Sequence, residues 1–150
     1  LEIWVRVISL SVGGVLGVNA RYWVGVWMTR WTPAPWATFT INVTGSFAIG
    51  FLTMTLARWL PHPHLRLMIL TGFLGGYTTF STYAFESAIL WDRGARYLAL
   101  ANMFGSIVVG VLAAFSGMAL ARDVVIPASE RATFMERPSP VEVAPRKEAP

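Results

Sequence analysis

Charged residues leave four long uncharged stretches in the first 122 positions, residues 7–20, 31–57, 67–85 and 97–121. A helix needs about 20 consecutive apolar residues to cross the core of a bilayer. Three stretches are long enough as they stand, and the first becomes so once Arg21 is admitted into it. The pattern predicts four transmembrane helices, about 3–28, 36–59, 65–91 and 97–121, within a membrane domain covering 1–122. Proline punctuates the same plan: Pro33 and Pro35 fall in the first connection, Pro61 and Pro63 in the second, and the other five from Pro127 onward. Helix interiors in lipid have no spare partner for a lost N–H bond, so this placement is the expected one. All seven tryptophans lie at or near predicted span ends, where an amphipathic ring prefers the headgroup level. Beyond Arg122 the chain turns to Pro, Glu, Ala and Arg without hydrophobic period. Residues 123–150 are expected to be a polar, disordered tail, with room for a short docked segment at 124–126.

Composition supports an all-α integral membrane protein. The chain of 150 residues is 55% hydrophobic and 13% charged, against about a quarter charged in soluble domains. Cysteine is absent, which removes disulfides, thiolate metal sites and cysteine nucleophiles. The formal charge of +4 divides into +5 over residues 1–122 and −1 over the remainder; no basic block offers itself to nucleic acid. Near the membrane, Arg6, Arg58, Arg66 and Arg122 lie on one side and Arg30, Arg93 and Arg96 on the other. Four against three gives the positive-inside rule nothing to act on. A four-helix chain without charge bias can insert both ways, and antiparallel pairing of the two orientations is then physically open. Gly13 and Gly17, Ser46 and Gly50, Gly72 and Gly76, and Ser106 and Gly110 have the small-x-x-x-small spacing that lets helix backbones approach closely in lipid. Four helices make a thin wall for a pore, so oligomerisation is expected.

The most unusual stretch is Thr71-Gly72-Phe73-Leu74-Gly75-Gly76-Tyr77-Thr78-Thr79-Phe80-Ser81-Thr82-Tyr83. Glycines followed by hydroxyls make a poor continuous helix. Two readings are open: a closely packed helix whose hydroxyls bond back one turn, or a break whose freed carbonyls line something or hold a hard cation. Thr38, Asn42 and Ser46 recur every four residues on one face of the second helix, and Asn102 and Ser106 repeat the spacing on the fourth. Each stripe alone could be interhelical bonding, worth about 0.6 kcal/mol per contact. Two stripes beside a hydroxyl-rich break suggest a path lined by neutral donors, suited to a small anion whose hydration must be replaced. Arg21 either snorkels to the interface or draws an anion into a vestibule. Glu86 is either a helix-end partner or functional. His62 and His64 lack a third metal ligand. No catalytic motif is present, neither G-x-S-x-G, a Walker loop nor H-E-x-x-H, so the chain is not expected to be an enzyme.

Four runs carry a family resemblance: Gly13 to Tyr22 (GGVLGVNARY), Thr40 to Phe47 (TINVTGSF), Gly72 to Tyr83 (GFLGGYTTFSTY) with Glu86, and Ala101 to Ser106 (ANMFGS). In order and spacing, over residues 1 to about 121, they closely resemble the CrcB/Fluc fluoride-channel family. The resemblance implies an antiparallel dual-topology homodimer with two pores, its third helices broken in mid-membrane. A structural Na+, not transported, would sit between the breaks on the backbone carbonyls of Gly75 and Thr78. It further implies that Phe80 and Tyr83 face the pores, Tyr83 standing where the family usually has Phe. Asn42 matches the pore asparagine, and Ser81 and Thr82 match the polar track. Asn102 and Ser106 take track positions on the fourth helix, where Asn102 stands at a position that is tyrosine in some members and Gly110, one turn on, adds no hydroxyl. Arg21 matches an arginine near the pore mouth and Glu86 a family acid.

The expected function is passive, selective export of fluoride across a bacterial inner membrane. A proton-coupled small multidrug transporter would need a glutamate deep in the first helix, which has Arg21 and no acid after Glu2. A non-transporting membrane assembly protein would tolerate change at Asn42 and Phe80.

Overall fold

The computed structural model describes residues 1–125. Helix α1 runs Glu2–Met28 and α2 Ala34–Trp59, joined by a turn in which the Thr29 N–H closes on the Gly25 carbonyl at 2.9 Å. Pro33 stands at the N-cap of α2 and Pro35 in its first turn, where the missing proline N–H costs no helical bond. The third apolar stretch folds as successive segments: α3 Pro63–Arg66, a π-helical segment Leu67–Phe73, α4 Leu74–Tyr77 and α5 Phe80–Asp92. In the π-helical segment the N–H of Leu74 reaches back five residues to Ile69. Helix α6, Arg96–Val125, completes the described chain. It follows α5 through a short turn in which Gly94 has φ of 78°, a left-handed conformation that glycine adopts without a Cβ clash.

Glycines decide how the helices are seated. Gly13 lies against Met68, Gly72 and Phe73, and Gly17 against Phe73 and Tyr77, so α1 and the segmented third stretch run side by side in the same direction. Helices α2 and α6 form a second parallel pair, with Gly50 against Ala114 and Gly117 against Phe47 and Phe51. Of the small-residue pairs read from the sequence, Gly13, Gly17, Gly72, Gly76 and Gly50 touch neighbouring backbone. Gly117, outside those pairs, carries as much of the α2–α6 seam as Gly50.

The interior is correspondingly small-grained. Its buried apolar residues are Ala37, Ile41, Leu74, Tyr83, Ala99, Ala121 and Val125, while Trp4, Trp23, Trp27, Phe85, Phe104 and Phe115 face outward. An outward apolar surface suits a chain whose solvent is lipid. Three helices, α1, α2 and α6, are long and apolar enough to cross a membrane. Helix α6 extends four residues past the expected end at 121. Gly117, Ala121 and Val125 recur on one buried face, so packing carries the helix through Arg122 and Asp123. The expected tail from residue 126 onward lies outside the described residues.

Candidate functional site

Between α4 and α5, Thr78 (φ −80°, ψ 157°) and Thr79 (φ −151°, ψ 117°) are extended. The sequence supplies local reasons. The Thr78 hydroxyl donates to the Leu74 carbonyl at 2.9 Å, and its own N–H ends α4 on the same carbonyl. The Thr79 hydroxyl oxygen then caps α5, accepting from the Thr82 N–H at 3.3 Å and donating to the Thr82 hydroxyl at 3.1 Å. Hydroxyl side chains at such positions replace the helical partners that a terminus lacks.

Two other helices hold this pair from outside. Asn42 of α2 donates through Nδ2 to the Thr79 carbonyl at 2.9 Å and accepts through Oδ1 from the Thr79 N–H at 2.8 Å. One partner is a pure acceptor and the other a pure donor, so the amide has only one orientation that satisfies both. In a continuing helix the Thr79 N–H would return to the carbonyl of Gly75, four residues back; Asn42 takes it instead. Arg21 of α1 donates through a terminal guanidinium nitrogen to the Thr78 carbonyl at 3.1 Å.

Two cavities meet at the break. One, of about 560 Å³, is lined by Asn42, Ser46, Gly75, Phe80, Tyr83 and Ser106 among others, with no charged side chain in its wall. The second, of about 410 Å³, includes Arg21, Thr38, Thr82 and Glu86. Thr79 lines both and so stands as the septum between a neutral groove and a charged one. In the charged groove the Thr38 hydroxyl donates to Glu86 Oε1 at 2.9 Å. Glu86 Oε2 is buried without a partner among the described residues.

The structure thus sorts the residues singled out in the sequence. Asn42, Gly75, Thr78, Phe80, Tyr83 and Ser106 share the neutral groove, while Arg21, Thr82 and Glu86 share the charged one. Ser81 lines neither; its hydroxyl lies 3.3 Å from that of Thr79. Asn102 is buried between α5 and α6, donating to the Ser87 hydroxyl at 2.8 Å and accepting from Ser106 at 3.4 Å. Ser87 in turn donates to the Tyr83 carbonyl at 2.8 Å. Ser87 is not among the residues singled out in the sequence, and Thr38 and Thr79 stand there only as members of the second-helix stripe and of the glycine–hydroxyl run. The signal for Ser87 was its position one helical turn after Tyr83.

The Gly75 and Thr78 carbonyls can be tested against a hard cation. The Gly75 carbonyl has lost its helical N–H to Asn42, and the space that a Cβ would take at Gly75 is open to 4 Å. The Thr78 carbonyl gives one lone pair to Arg21 and has a second. Neutral carbonyl oxygens freed from a helix are the ligand type that such an ion accepts, so the donor chemistry of these residues suits a hard cation.

Long apolar helices, an outward apolar surface and polar groups gathered at an interrupted helix define a multi-pass helical membrane protein. The family described as "CrcB-like protein, Camphor Resistance (CrcB)" matches residues 8–118, and the chain belongs to that family. It is 44% identical over 122 residues to the fluoride-specific ion channel FluC of Rhodospirillum centenum, covering 79% of this chain and 97% of that protein. Over 127 residues it is 42% identical to the protein of the same name from Rhizobium meliloti, with 80% and 98% covered. The corresponding protein of Agrobacterium fabrum is 39% identical over 122 residues, with 79% and 98% covered.

Proposed function

We propose that this chain is a fluoride-selective channel, not an enzyme, which lets cytoplasmic fluoride leave down its gradient through a bacterial inner membrane. The observation that carries the reading is the uncharged groove at the break, walled by the amide of Asn42, the hydroxyls of Ser46 and Ser106 and the rings of Phe80 and Tyr83. Fluoride is small and strongly hydrated, and a dry path must replace its water with donors. The second Nδ2 hydrogen of Asn42 and the serine hydroxyls are such donors, with Ser81, Thr82 and Asn102 extending the polar set. Aromatic ring edges carry positive charge density and can face an anion without holding it as tightly as a cationic side chain would. Chloride is larger and a weaker acceptor, so the same row favours it less. Arg21 and Glu86, in the neighbouring cavity, would set the field at its mouth.

The working unit in this reading is an antiparallel dual-topology homodimer with two pores. Its third spans cross at mid-membrane breaks, and a structural Na+ is held there by Gly75 and Thr78 of each chain. The near balance of arginines on the two sides supports insertion in both orientations. The open face of Phe80, 76% exposed in the single chain, supports a partner across the groove. A proton-coupled multidrug transporter is disfavoured because α1 offers Arg21 and no acid after Glu2.

Expression in a fluoride-sensitive bacterial strain that lacks its own exporter tests the reading. Growth in fluoride medium is expected with the wild-type chain and not with Phe80→Ile. Equal sensitivity with and without the wild-type chain, present in the membrane as a dimer, would contradict it.

A further inference from the structure

The local capping by Thr78 and Thr79 ends α4 and starts α5, yet it leaves the N–H and carbonyl of the Thr79 peptide without a partner in their own stretch. Residues 74–83 could close a regular helix through the Thr79 peptide, because Thr79 has both an N–H to give back to Gly75 and a carbonyl to receive from Tyr83. Helix closure would satisfy both groups without help from another segment. In the structure both are instead taken by one side chain on another helix, the Asn42 amide, at 2.8 and 2.9 Å. Thr79 is buried, 9% exposed, so water does not compete for these groups as it would on a surface. Removal of the amide leaves the Thr79 N–H an unpaired buried donor, and the nearest remedy is the Gly75 carbonyl. Arg21 fixes the preceding carbonyl, that of Thr78, but offers nothing to the Thr79 N–H.

We infer that Asn42 is a positioning residue for the cation site: by holding both polar groups of Thr79 it keeps the Gly75 carbonyl out of a helical bond and free for Na+. This rests on the reading of Gly75 and Thr78 as Na+ ligands. It is additional to any contact of Asn42 with fluoride, since Nδ2 has a second hydrogen that points to no described partner and the groove lies beside it. Ser46, one turn further along the same face and in the same groove, makes no hydrogen bond to the break among the described residues and serves as the control position.

Glycine labelling gives a direct test on the intact dimer. The sequence contains two Gly-Gly pairs, Gly13-Gly14 and Gly75-Gly76, so a protein labelled with carbonyl 13C and amide 15N glycine gives a correlation at each. Replacing N-methylglucamine by Na+ is expected to move the Gly75 carbonyl resonance to a plateau while that of Gly13 stays put. In Asn42→Ser, whose shorter side chain cannot span both Thr79 groups, the Na+ concentration at half-shift is expected to rise about tenfold or more, as loss of one to two hydrogen bonds implies. In Ser46→Ala it is expected to stay within about twofold, below what loss of one such bond would produce.

A half-shift concentration for Asn42→Ser within about twofold of wild type, under the same bond arithmetic, would overturn the inference and leave the cation site intact. So would an equal rise in Ser46→Ala. A wild-type dimer that conducts fluoride but shows no Na+ shift at Gly75 would overturn the cation reading and this inference with it. Should Asn42→Ser not assemble, Asn42→Gln, which moves the amide outward by one methylene, is judged by the same criteria.

Discussion

The hydroxyl of Tyr83 donates to the main-chain carbonyl of Met103 at 2.7 Å. This bond ties α5 to α6 and spends the hydroxyl's one hydrogen on a main-chain carbonyl, although Tyr83 also lines the neutral groove. The Tyr83 ring lies 5.5 Å from that of Phe80 between centroids, the two planes tilted by 52°. The phenol therefore keeps the aromatic character of the position, and its oxygen serves as a staple between helices. Tyr83→Phe is expected to leave fluoride efflux within about threefold of wild type while lowering stability by about 0.6–1.5 kcal/mol, the net value of one such bond. Paired flux and denaturation measurements check this; a large loss of flux with unchanged stability would place the hydroxyl in the permeation path.

Phe80 is its neighbour's opposite, exposed in the single chain where Tyr83 is 8% exposed. Its side chain contributes little to the packing of its own subunit. Phe80→Ile is expected to cut fluoride efflux by tenfold or more, about 1.4 kcal/mol in barrier terms, with subunit stability nearly unchanged. Efflux assays beside gel filtration of the same preparation measure both.

Thr38 and Glu86 meet across the charged cavity at 2.9 Å, and the other carboxylate oxygen has no partner among the described residues. A hydrogen bond to a charged acceptor is worth about 1.5–3 kcal/mol. Thr38→Val should therefore destabilise strongly in the presence of Glu86 and weakly in a Glu86→Ala background. A double-mutant cycle reads the difference directly, with a coupling of about 1–2 kcal/mol expected and a value near zero contradicting the pairing.

These relationships were unequally legible in the sequence. The three long helices α1, α2 and α6 followed from charge-free lengths and proline placement, because lipid forbids both unpaired backbone and isolated charge, and that constraint is local. The unusual run at Thr71–Tyr83 could be singled out, yet its own composition left a tight helix and a break equally open. The deciding interaction comes from Asn42, 37 residues away. The face of Asn42 and Ser46 was readable from spacing by four; which partner the amide would choose was not, since pairing across helices depends on register. Asn102 shared that spacing with Ser106 but turns toward Ser87. Likewise no residue of the third stretch marks the π-helical segment in the sequence; in the structure it lies where Gly13 of α1 meets Gly72.

That seating gives a sharp contrast between two glycines of α1. A Cβ at Gly17 would collide with the Phe73 carbonyl and the Tyr77 N–H, whereas one at Gly25 meets nothing within 4 Å. Gly17→Ala forces one backbone off another and is expected to cost at least the roughly 1–3 kcal/mol of ordinary overpacking. Gly25→Ala should be neutral or stabilising by up to about 1 kcal/mol through helix propensity. Comparing the two variants by denaturant titration in detergent checks the close approach; equal behaviour would contradict it.

The central claim is that the neutral groove at the break passes fluoride and discriminates against chloride. The direct measurement is efflux from liposomes that contain the purified protein, loaded with equal fluoride and chloride, suspended with Na+ present and started with valinomycin, with an electrode following each anion. Rapid fluoride release with chloride retained is the predicted result. Retention of both anions by correctly assembled protein, or their release at similar rates, would contradict the account.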